Sequence, residues 1–119
     1  MKKILIADES QSFLDRINVW LHDENYIVLR ARNLWECHSL TSPPAEYDLI
    51  IIGEMGPWTQ VLAEAFVSIG KRVLTMWLDN RALPGVPSAP PRRVGQPFDR
   101  QEFLTIVRKL LDADTTVDE

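Results

Sequence analysis

The chain has 119 residues, 45% of them hydrophobic and 25% charged, with a formal net charge of −4. That describes one globular domain with room for a real core, and its interspersed charges give neither the basic stripe of a general nucleic-acid binder nor a patch for anionic lipid. Cys37 is the single cysteine, which excludes an internal disulfide or a cysteine metal cluster and fits a reducing cytoplasm, and no apolar run is long enough for a signal peptide or a membrane span.

Ile4-Leu5-Ile6-Ala7 is an unbroken apolar run, the mark of a strand covered on both faces. It stops at two adjacent carboxylates, Asp8 and Glu9. Ser10 or Ser12 then caps a helix whose Phe13, Ile17, Trp20 and Leu21 share a face. Asp23-Glu24-Asn25 ends that helix. Tyr26 to Ala31 reads as a second strand with a wetter side. Asn33 and Glu36 have the spacing of a capping box, opening a short helix through about Leu40, which Pro43-Pro44 stops.

Leu49 to Ile52 is a second buried run, mostly β-branched. In an open α/β sheet, chemistry sits beyond the carboxyl ends of such strands. The position where a working side chain belongs is Gly53. Gly56-Pro57 starts the next helix, with Pro57 tolerated in its first turn. There Val61, Ala65 and Ile69 form one row, and Trp58, Leu62 and Phe66 a neighbouring one. Gly70 stops it, and Val73 to Leu78 is a fourth strand. From Asp79 to Pro91 the prolines Pro84, Pro87, Pro90 and Pro91 preclude a normal helix. Arg92 to Gly95 reads as a short edge strand and Gln96-Pro97-Phe98 as a turn. A final amphipathic helix, opened by Asp99 and Glu102, carries Phe103, Val107, Leu110 and Leu111. Alternation of strand and helix implies a parallel sheet with helices on both faces.

Three landmarks now align: Asp8-Glu9, the stretch Asp48 to Pro57 with Gly53 inside it, and Gln96-Pro97-Phe98. Together they resemble the receiver domain of two-component response regulators. The resemblance implies an α/β flavodoxin-like three-layer sandwich with a five-stranded parallel sheet of order 2-1-3-4-5. The fourth helix of that fold is expected to be lost or shortened. Residues 1–112 are expected to form the receiver-like domain and 113–119 a flexible acidic tail. In the family an acidic pair binds Mg²⁺, an aspartate after the third strand accepts phosphate, and a Thr or Ser and a Lys contact the phosphoryl group. Asp8 and Glu9 match the acidic pair. Gly53 falls at the acceptor, its register held by Asp48 and Pro57. Trp77 falls where the Thr or Ser belongs, with Thr75 two residues deeper, Gln96 replaces the Lys, and Arg93 stands where an aromatic switch residue is common.

Phosphotransfer to a receiver needs a carboxylate nucleophile in line with the donor phosphorus, and glycine supplies none. Glu54 is adjacent, but one step along a strand reverses direction. Asp8 and Glu9 lack the third carboxylate and the phosphate that would complete a Mg²⁺ site, so a solvated acidic rim is expected and no cofactor. Trp77 either fills the space freed by Gly53 or packs elsewhere, in the core or against a partner. Trp20, Trp35 and Trp58 are expected to be core or half-buried, Cys37 a small buried hydrophobe, and His22 and His38 surface residues. The proline-rich stretch is a loop replacing a helix, or an extended recognition segment.

The expected function is that of a cytoplasmic, non-enzymatic signalling module, not phosphorylated at the usual position. It would act through a protein partner or as a homodimer, with an effector domain in a longer chain as a further option. Neither nucleic acid nor membrane is an expected partner. The alternative is a flavodoxin-like domain that binds a small molecule in the crevice near Asp8, Gly53 and Trp77.

Overall fold

The computed structural model describes residues 1–42, 46–76 and 99–117, with side chains through residue 112. The expectations placed on Trp77, the proline-rich stretch, the strand at Arg92–Gly95 and Gln96 lie outside the described residues. Four strands, β1 (Lys3–Ala7), β2 (Ile27–Ala31), β3 (Leu49–Ile52) and β4 (Val73–Thr75), form a parallel sheet of order β2-β1-β3-β4 among those residues. Four helices accompany them: α1 (Gln11–His22), α2 (Leu34–Thr41), α3 (Trp58–Ser68) and α4 (Arg100–Val117). None is long and apolar enough to cross a membrane.

The unbroken apolar runs explain the layers. Ile4, Ile6, Leu49 and Ile51 face a core made with α1 and α4, which contribute Phe13, Leu14, Ile17, Leu21, Phe103 and Val107. Leu5, Ala7, Ile50 and Ile52 face the opposite core, with Cys37 of α2 and Leu62, Ala63 and Phe66 of α3. Successive side chains thus alternate between two buried faces, and neither face needs polar residues. β2 is an edge of the sheet, and its exposed Ile27 and Arg30 account for the wetter pattern.

Local signals set the boundaries. Ser10 is the N-cap of α1, its hydroxyl accepting the Phe13 N–H at 3.3 Å. Asn33 Oδ1 accepts the Glu36 N–H at 2.8 Å, while Glu36 Oε1 accepts the N–H of Arg32, one residue before the cap. Asn25 closes the turn after α1 with φ 68°, a conformation asparagine tolerates better than most residues. Asp48 accepts the Lys3 N–H at 2.8 Å, and Tyr47 donates to the Leu40 carbonyl at 2.7 Å, so the residues before β3 clamp the amino end of the sheet. On the other side Trp20 packs on Phe103, with ring centroids 5.9 Å apart, and Arg72 donates to the Leu110 carbonyl. α4 continues to Val117.

One expectation needs correction: Trp35 is 75% exposed and so neither core nor half-buried, whereas Trp58, 45% exposed, is half-buried as expected. Both sit in the first turn of a helix, where the chain has just left the sheet's carboxyl edge. In α3 the row Trp58, Leu62, Phe66 splits: the latter two are buried beside Ala63, while Val61 and Ile69 of the other row are exposed.

Cys37 is buried, and burial pushes its thiol up from 9.0 to about 11. The folded state therefore keeps a proton that the unfolded chain loses, so the contribution is intact below pH 9 and is lost as pH rises toward 11. Chemical denaturation between pH 8 and 11 should show falling stability, and Cys37→Ala should flatten the decline. At pH 8 the native thiol should also react with a disulfide reagent roughly a hundredfold more slowly than a free thiol, from the two-unit shift alone.

Candidate functional site

The site lies where β1 and β3 leave the sheet. The register Ala7 opposite Ile52 puts Asp8 opposite Gly53. Backbone pairing continues beyond the strands: the Gly53 N–H donates to the Ala7 carbonyl at 2.7 Å and the Glu9 N–H to the Glu54 carbonyl at 2.9 Å. On the other side the Asp8 N–H donates to the Ala31 carbonyl at 3.0 Å. Asp8 is thus held by both neighbouring strands. Alternation along β1 and β3 sends its side chain and any side chain at position 53 to the same face.

Asp8 is fully buried. Its Oδ1 accepts the Ser10 N–H at 2.8 Å, and its Oδ2 accepts the Glu54 N–H at 2.8 Å. The side chain therefore ties the start of α1 to the end of β3. Gly53 is what makes room for it. A Cβ at position 53 would lie 2.0 Å from Asp8 Oδ2, 2.9 Å from Cγ and 3.2 Å from Cβ. Any larger residue there requires the Asp8 carboxyl group to shift from its present position. A buried polar group without its partner costs about 1–3 kcal/mol, so the glycine and the inward carboxyl group stabilise each other's presence.

The rest of the loop is also closed. Met55 is buried, and its N–H donates to Thr59 Oγ1 at 2.8 Å. The Thr59 hydroxyl in turn reaches the carbonyls of Gly56 at 3.3 Å and Gly53 at 3.4 Å. Gly56 adopts φ 59°, which a side chain would oppose, and Pro57 follows as the N-cap of α3 without a side-chain cap bond. Thr59 is a residue that sequence reasoning missed. The signal was slight: a hydroxyl two positions after a proline at a helix start.

The acidic pair divides by burial. Asp8 is committed inward, while Glu9 is exposed and tied through its backbone. Glu54 is exposed too, and its amide donates to Asp8 Oδ2. Among the described residues, no group of three or more His, Cys, Asp and Glu side chains is arranged to hold a metal ion. The described residues do not fit Mg²⁺: the better-placed carboxyl group is buried and accepts two amides, leaving Glu9 without a second ligand in position. Thr75 is buried opposite Ile52 in β4. His22 and His38 are exposed.

No protein-family model matches the sequence, and no curated protein does. Solved structures do. The N-terminal domain of a response regulator/sensory box/GGDEF three-domain protein from Carboxydothermus hydrogenoformans superposes with a TM-score of 0.75 at 22% identity, over 99% of this chain and 100% of that one. This chain has the receiver fold. The non-phosphorylated HemR receiver domain of Leptospira biflexa gives 0.75 at 20% identity, over 93% of this chain and 94% of that one. Response regulator TrrA of Thermotoga maritima, in complex with Mg(2+)-BeF, gives 0.73 at 23% identity, over 92% and 99%. The α/β flavodoxin-like architecture expected from the resemblance is therefore the observed one. Within that receiver fold, position 53 is bare and Asp8 lies across it.

Gly53→Ala should destabilise the protein by about 1–3 kcal/mol, because the methyl group displaces a hydrogen-bonded carboxyl group. In an Asp8→Ala background the same change should be close to neutral. Urea unfolding of the two single variants and the double variant checks the coupling.

Proposed function

We propose that this receiver-fold domain is a signalling module that does not take a phosphoryl group at the usual position and works through protein contacts. The observation that carries the proposal is the pairing of Gly53 with a buried Asp8. In-line attack on phosphorus needs an accessible carboxylate. Position 53 has no side chain, and the carboxyl group nearest to it is fully buried and accepts the Ser10 and Glu54 amides. Glu54 is a poor substitute acceptor, because one step along the chain from position 53 turns its side chain the opposite way.

On this reading the domain catalyses no reaction of its own and needs no metal. Trp77 and Gln96, which fall where the family's phosphoryl-contacting Thr or Ser and Lys stand, fit a site released from that chemistry. The protein-binding unit is residues 1–112, working in the cytoplasm. It acts on a protein partner or a second copy, with neither nucleic acid nor membrane as a target. A small molecule in the crevice is the weaker alternative, since Asp8 already occupies the space next to Gly53.

Incubation with acetyl phosphate and Mg²⁺ followed by intact-mass measurement should show no adduct of about 80 Da, the mass of one phosphoryl group. A stable adduct on the wild-type protein would overturn the proposal. Gly53→Asp alone should also remain unmodified, because Trp77 and Gln96 stand in place of the Thr or Ser and the Lys that contact the phosphoryl group in the family.

A further inference from the structure

We draw no further inference here: the strongest candidate, the surface at the carboxyl edge of the sheet that carries the exposed Trp35 and the half-buried Trp58 in the first turns of α2 and α3, has nothing among the described residues to show what covers it.

Discussion

The carboxyl group of Asp8 lies over Gly53 and accepts two backbone amides, from Ser10 and Glu54. Those two bonds join the first residue past β1, the N-cap of α1 and the first turn after β3 in one small network. The network exists because one residue has no side chain. With a methyl group at position 53 the carboxyl group must move, which disturbs its bonds to the two amides. The fold and the missing acceptor are therefore two sides of one local arrangement. An added side chain at position 53 and the present placement of the Asp8 carboxyl group compete for the same volume.

Most of the architecture was legible in the residues because it depends on signals of short range. The doubly buried strands follow from apolar runs without alternation, at Ile4–Ala7 and Leu49–Ile52. The helix starts follow from Ser10 and Asn33, and the stop of α3 from Gly70. Gly53 was recognisable as a bare position because Asp48 and Pro57 fix its register. What fills the space beside Gly53 was not legible. The sequence leaves Trp77 either in that space or packed elsewhere, and Trp77 lies outside the described residues; among those residues a carboxyl group from the adjacent strand lies against Gly53. A strand neighbour in register is invisible to periodicity, since it depends on how two distant runs pair. Trp35 misled for a related reason. A helix with apolar residues on most of its circumference does not declare which row faces the sheet, and Trp35 and Trp58 sit at first turns where the chain leaves the sheet's edge.

The same contrast organises the surface. At the carboxyl edge of the sheet, where a receiver would do chemistry, groups are turned inward: Asp8 to two amides, and the Met55 amide to Thr59. On α3, Trp58 and Val61 are partly exposed while Leu62, Ala63 and Phe66 are buried against the sheet.

The most direct measurement follows the amide resonances of Ser10 and Glu54 in ¹⁵N-labelled wild-type protein as Mg²⁺ is added. If Asp8 is turned inward onto those two amides, both protons remain hydrogen-bonded and exchange-protected, and neither shifts with the cation. Saturable shifts of both resonances with loss of protection would mean that Asp8 leaves them to become a metal ligand, and would contradict the closed site on which the proposed function stands.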